Sequence, residues 1–259
     1  MNSHKRSILL LGHGSRDPIF LKEFNYFIDC FQEHDGLSSA EKMEIKTAFL
    51  ELSKPSIPQA LKELFDKEVR KIIAIPYFLF RAGHVKSEIP EMLQEFSSNH
   101  PKIEISYGPS LWPHPNLTQL AKKRIHEALA SFPEITRKDV EVLVVGRGAT
   151  DKEALHQFDE AVDHLKKETV CKNFQSCFIA LSEPRFDRLL PEMLRNGTKN
   201  LIIFPYYLFT GILVKRIEAI SRDTEKIFSG VNIKIASHFG TDPLMFQMLK
   251  EKIAEGFRV

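Results

Sequence analysis

The chain repeats itself, and this repetition limits the folds open to it more than any other feature. Gly12-His13-Gly14-Ser15-Arg16-Asp17 returns as Gly146-Arg147-Gly148-Ala149-Thr150-Asp151, each copy placed behind an apolar run. Phe49-Leu50-Glu51-Leu52-Ser53-Lys54-Pro55 returns as Phe178-Ile179-Ala180-Leu181-Ser182-Glu183-Pro184, and Ile75-Pro76-Tyr77-Phe78-Leu79-Phe80 returns as Phe204-Pro205-Tyr206-Tyr207-Leu208-Phe209. Three matches in one order amount to a tandem duplication. Gly12 and Gly146 lie 134 residues apart, whereas the other two pairs lie 129 apart, so the first copy holds five extra residues, expected in the polar stretch Gly36 to Glu41. Two similar domains follow, 1–139 and 140–259, divided near the Pro- and charge-containing segment Ser131 to Asp139.

Within each copy, apolar strands alternate with amphipathic helices. Phe20, Phe24, Phe27, Ile28 and Phe31 follow helical spacing, as do Ile57, Ala60, Leu61, Leu64 and Phe65 behind an N-cap candidate, Ser56. Strands are expected near 7–12, 44–50, 71–80 and 103–107. The resulting β-α-β-α order predicts an α/β fold: two tandem similar domains, each a parallel β-sheet of about four strands flanked by helices, with right-handed crossovers.

Bulk properties exclude several classes. Thirty-six Lys and Arg against 34 Asp and Glu give a net charge of +2, too balanced for nucleic acid as the main partner. The most apolar stretch, Leu201 to Val214, is shorter than the roughly 20 residues of a membrane span and is interrupted by Pro205. A polar start, Met1 to Arg6, carries no secretory signal, so a cytoplasmic location is expected. Cys30, Cys171 and Cys177 form no CxxC pair and read as buried thiols. Neither G-x-S-x-G, Walker A nor G-x-G-x-x-G follows an opening strand, which argues against a serine hydrolase and against nucleotide binding.

Ligands of open parallel sheets bind beyond the carboxyl ends of the strands. That rule selects His13 after the first strand, Glu51 after the second and His84 after the third. Two imidazoles and a carboxylate suit cobalt, iron(II), nickel or zinc better than magnesium or calcium. Glycines beside His13 and His84 are expected to let the backbone turn sharply and approach a ligand. The second copy acts as an internal control, because Arg147, Ala180 and Leu213 replace His13, Glu51 and His84 while the apolar and proline framework is kept. The three polar groups are therefore not needed for folding, which favours function in the first copy.

Other positions read more plainly. His34, His100, His126, His156 and His164 are expected to face solvent. His114 and His238 follow strands and are weaker ligand candidates. The aromatic runs Tyr77 to Phe80 and Tyr206 to Phe209 are expected to be mainly core strand, their last residues able to wall an apolar pocket.

Taken together, the opening strand with Gly12-His13-Gly14-Ser15-Arg16, Phe49-Leu50-Glu51-Leu52 and Gly83-His84-Val85-Lys86-Ser87-Glu88-Ile89-Pro90 resemble the sirohydrochlorin chelatases of the class II chelatase superfamily. The resemblance covers essentially the whole chain and matches the long, two-domain form. It implies ATP-independent insertion of a divalent metal, cobalt for cobalamin or iron(II) for siroheme, into sirohydrochlorin bound in a cleft between the halves. It further implies that His13 binds metal and accepts pyrrole protons, that His84 is the second metal contact, and that Glu51 with Leu79, Phe80, Arg81, Ala82 and Gly83 lines the substrate site. Arg16, Lys54, Arg81, Lys86, Arg147, Lys215 and Arg216 are candidates to pair with the eight carboxylate arms. No permanently bound cofactor is implied, the metal being a substrate, and a monomer with an internal pseudo-twofold repeat is the expected state. Two other classes stand beside this reading: a carrier that binds metal or tetrapyrrole without catalysis, and a metal-dependent hydrolase, which would hold its ion stably.

Overall fold

Ile8, Leu9, Leu10 and Leu11 run apolar without alternation, the signature of a parallel strand covered on both faces, and none of the four retains any exposed surface. They form the centre of β1 (Lys5–Gly12). The structure, a computed structural model, describes residues 5–34 and 43–258, so the stretch Gly36 to Glu41, where the extra residues of the first copy are expected, lies outside the described residues.

Around β1 stand β2 (Glu44–Phe49), β3 (Val69–Pro76) and β4 (Glu104–Tyr107), in the order β2-β1-β3-β4 and parallel throughout; Leu10 pairs with Thr47 on one side and with Ile75 on the other. A second four-stranded sheet repeats the order as β6-β5-β7-β8, from β5 (Val140–Gly146), β6 (Asn173–Phe178), β7 (Asn200–Pro205) and β8 (Asn232–Ile235). The expected α/β architecture of two parallel four-stranded sheets is thus present.

Helices cover both faces of the first sheet. One apolar cluster joins Leu9, Leu11 and Ala48 to α2 (Ile57–Asp66) and α3 (Ile89–Asn99). Ser56 sits at the N-cap of α2, where its N–H donates to Gln59 Oε1 at 2.9 Å. On the other face, α1 (Pro18–His34) brings Phe24, Phe27 and Phe31 against Tyr77 and against Phe246 of α8 (Pro243–Gly256), with ring centroids 5.1 to 6.1 Å apart for the close pairs.

That last contact is unexpected from chain order. The helix that follows β4, α4 (Pro115–Ala130), packs on β7 and on α5 (Lys152–Glu168) of the second sheet, while α8 packs on β3 of the first. Two compact units result: the described residues through His114 together with those from Thr241 onward, and Pro115–Gly240. The packed units thus divide at 114 and 240 and not at the boundary near residue 139 expected from the repeat, because each sheet is completed by a helix from the other copy.

β3 ends at Pro76, earlier than the strand expected over 71–80. Tyr77 N–H still bonds Leu11 O at 2.8 Å, but the carbonyls of Phe78 and Leu79 then accept from Leu111 and Trp112 at 3.0 and 2.9 Å, beyond β4. Phe78, Leu79 and Phe80 are consequently half-buried loop residues rather than core strand. Tyr207 and Leu208 behave alike, accepting from Phe239 and Gly240. No described helix is long and apolar enough to cross a membrane.

His114 is a structural residue. It is buried, and its Nε2 lies 3.0 Å from Oε2 of Glu251, fastening the loop after β4 to α8. This hydrogen bond, and next the one from Gln247, holds the Glu251 carboxyl below its ordinary value of 4.5. A carboxyl depressed by folding contributes stability that is present above that ordinary value and is lost as pH falls through the folded one. Glu251 is half exposed, so the contribution is at most about 1 kcal/mol. Glu251→Gln is expected to flatten the acid limb of a urea-stability profile below about pH 4.5 by that small amount; superimposable profiles would remove the pair from the account.

Candidate active site

The loops after β1 and β2 are clasped together by backbone geometry. The N–H groups of Leu50 and Glu51 donate to Gly12 O and His13 O at 2.9 and 3.0 Å, extending the strand pairing past the sheet. Ser15 N–H donates to Ser53 Oγ at 3.0 Å, and Ser53 Oγ returns a bond to Ser15 O at 3.1 Å. Gly14 sits inside this clasp with φ +92°, where a Cβ would lie 1.8 Å from the Glu51 carbonyl oxygen. Only glycine fits such a place. The clasp sets His13 Nε2 3.5 Å from Glu51 Oε1.

His84 arrives from the far side of β1. After β3, the chain runs through Leu79 to Gly83 and enters a π-helical turn, His84–Glu88, which leads into α3. Gly83 has helical backbone angles and so does not make the sharp turn expected of it, and the space about its Cα is open. Tyr107 Oη donates to Val85 O at 3.0 Å and pins the turn to β4. Burial pushes that phenol far above its usual range, outweighing Arg81, so it stays protonated as a donor.

The two imidazoles meet edge to face, ring centroids 5.9 Å apart at 88°, with Phe78 6.3 Å from His13. His13 retains 23% of its side-chain surface, and Glu51 and His84 about half of theirs. They stand where β1 and β3 lie side by side but continue in opposite directions across the sheet, the switch point at which open α/β sheets bind ligands. Among the described residues no three His, Cys, Asp or Glu side chains group closely enough to hold a metal ion, so the site offers adjacent pairs rather than a closed cage.

The remaining candidates are spread around this pair. Leu79, Phe80 and Ala82 are half-buried, Arg81 and Gly83 exposed, and Phe80 lies 6.3 Å from the buried Trp112. Arg16, Lys54, Arg147, Lys215 and Arg216 are exposed and Lys86 half-buried. His126, His156 and His164 face solvent as expected, and the side chain of His34 lies outside the described residues. His100 departs from expectation: it stacks on Phe96 at 4.2 Å and meets Phe65 edge-on at 4.6 Å. The carbonyl of His238 accepts from Arg124 Nε. Sequence reasoning passed over Glu88, whose Oε2 lies 2.5 Å from His84 Nδ1; its signal was the i, i+4 spacing.

The second copy keeps the clasp without the two imidazoles and the carboxylate. Ile179 and Ala180 N–H groups donate to Gly146 O and Arg147 O, Ser182 Oγ exchanges bonds with Ala149, and Gly148 has φ +84°. Leu213 packs into the apolar cluster of the second sheet, and α7 (Ile212–Ile227) starts there as an ordinary α-helix. A cavity of about 290 Å³ in the second unit lies at the amino ends of its strands; of its walls, Thr198 and Asn173 already donate to the buried Glu141.

The CbiX family profile matches residues 7–128 and again 141–256, one match for each copy. The chain is 31% identical to the sirohydrochlorin cobaltochelatase of Priestia megaterium over 255 residues, 98% of this chain and 80% of that protein. It is 25% identical to the sirohydrochlorin ferrochelatase of Bacillus subtilis (strain 168), covering 97% of this chain and 92% of the relative. Among solved structures, SirB from Bacillus subtilis with Fe3+ superposes with a TM-score of 0.79 at 24% identity, over 97% of this chain and 95% of that one.

Proposed function

We propose a role that follows from kinship: this chain belongs to the CbiX family, and it is a sirohydrochlorin chelatase that inserts a divalent metal, cobalt or iron(II), into its tetrapyrrole. The observation that carries the residue assignment is the pair of imidazoles, His13 partly and His84 half exposed, 5.9 Å apart at the switch point of the first sheet.

Insertion exchanges two pyrrole protons for one dication, so the site must both present a metal and take up protons near neutrality. Imidazole can do either. In our reading His13 and His84 contact the incoming metal, and His13 also accepts pyrrole protons. Glu51, 3.5 Å from His13 Nε2, orients that ring or carries protons outward. Two protein contacts suffice because the macrocycle itself supplies the remaining nitrogens, and a site without a closed cage can release what it delivers. The metal is a substrate, and no resident cofactor enters this scheme.

Leu79 to Gly83 immediately precede His84 in the chain and are assigned to the face of the macrocycle, the half-buried Leu79 and Phe80 offering apolar surface. Arg16, Lys54, Arg81 and Lys86 are assigned to carboxylate arms. A monomer in the cytoplasm is the proposed working state.

The test is anaerobic absorbance spectroscopy of sirohydrochlorin with cobalt(II), iron(II) or nickel(II), with and without protein. Acceleration of cobalt or iron insertion over the protein-free rate is expected. Tight binding of the macrocycle without acceleration would replace the enzyme with a carrier.

A further inference from the structure

We propose that Glu88 is the positioning residue for His84, holding the imidazole in the tautomer that keeps Nε2 unprotonated for the incoming metal. The proposal rests on the assignment of His84 as a metal contact and adds a role for a side chain that does not itself meet the substrate.

The geometry is specific to one nitrogen. Glu88 Oε2 lies 2.5 Å from Nδ1 of His84. A carboxylate can only accept, so the shared proton belongs to Nδ1, and the lone pair of the neutral ring is left on Nε2. Without such a partner a neutral imidazole divides its proton between the two nitrogens.

The backbone leaves Glu88 this task. Val85 is buried and its carbonyl is held by Tyr107, Ser87 Oγ donates to Gly83 O, and Ile89 N–H closes the π-helical turn on His84 O. With the main chain fixed, what remains free at His84 is the ring itself. Single π-helical turns inside α-helices concentrate at functional sites.

Stability does not account for the pair. Both side chains are about half exposed, a setting in which an ion pair contributes little to folding. The second copy agrees. At the offset of 129 residues that relates this part of the two copies, His84 and Glu88 correspond to Leu213 and Ile217, both packed in the apolar cluster of the second sheet. The imidazole and its carboxylate are therefore absent together where the clasp remains but the His13 and Glu51 side chains do not.

The experiment uses the full chain and its Glu88→Ala variant, since alanine is well tolerated at a half-exposed helical position. Nitrogen-15 spectra of the His84 ring, assigned with His84→Ala and recorded without metal where the ring is neutral, are expected to show Nδ1–H in the parent and a shift towards Nε2–H in Glu88→Ala. The kcat for cobalt(II) insertion is expected to fall about 10- to 100-fold, with KM for sirohydrochlorin within about twofold of the parent. An Nε2–H ring in the parent, an unmoved tautomer in the variant, or a kcat within about threefold of the parent would each overturn the proposal. His84→Ala separates the two levels. If it turns over normally, the assignment of His84 fails and Glu88 with it; if it is inactive while Glu88→Ala runs at the parent rate, Glu88 alone is wrong.

Discussion

Replacing His13 or His84 by alanine is expected to lower the rate of metal insertion about a hundredfold or more, with little change in folding stability. The size follows from losing a metal contact, and for His13 a proton acceptor as well, at a site where no three His, Cys, Asp or Glu side chains among the described residues group closely enough to hold an ion. Intact folding follows from exposure and from the second copy. His84 keeps half of its side-chain surface, and the backbone bond that His13 O accepts from Glu51 N–H survives between Arg147 and Ala180 with neither side chain present. Anaerobic absorbance assays, read beside thermal unfolding of each variant, decide the matter. Near-normal turnover in either variant would defeat the assignment of that histidine.

Gly14→Ala should be the most damaging single methyl group in the first sheet. Its φ of +92° disfavours any side chain, and the added Cβ would stand 1.8 Å from the Glu51 carbonyl oxygen and 3.0 Å from its carbon. Backbone is the obstacle, so relief requires parting the loops after β1 and β2, which carry His13 and Glu51. A loss of about 2–4 kcal/mol is expected in urea unfolding, with turnover reduced even in the folded fraction. Gly148→Ala is the matched control. There φ is +84° and the Cβ would come within 2.9 Å of Ser182 N, so stability should fall by about 1–3 kcal/mol while turnover per folded molecule is kept. Equal activity losses in the two variants would mean that the clasp in the first copy has no special tie to chemistry.

Much of this could be read from the residues. The duplication was visible because apolar and proline positions recur in order, and two parallel sheets followed from unbroken runs such as Ile8 to Leu11. His13, Glu51 and His84 stood out because a positional rule and an internal comparison chose the same three. The exchange of α4 and α8 was hidden for a physical reason: an amphipathic pattern shows that a helix buries one face, not which sheet it covers. Tyr77 to Phe80 looked like continuing strand because half-buried apolar loop residues have the composition of a core. Glu88 was overlooked because its part depends on one ring nitrogen, and Gly83 was credited with a bend its helical backbone does not make.

The exchange of helices has a consequence for how the molecule is made. On the ribosome, β1 to β4 emerge early, yet the helix that covers Phe27 and Phe31 is encoded after every strand of both sheets. Until α8 has been translated, the sheet bearing His13 and His84 keeps an aromatic face open, and its native pairing must join α1 to a helix encoded more than 200 residues later. Maturation of the sheet that carries the imidazole pair is thereby postponed until α8 has emerged, and a nascent chain halted after the first copy should stay dependent on chaperones.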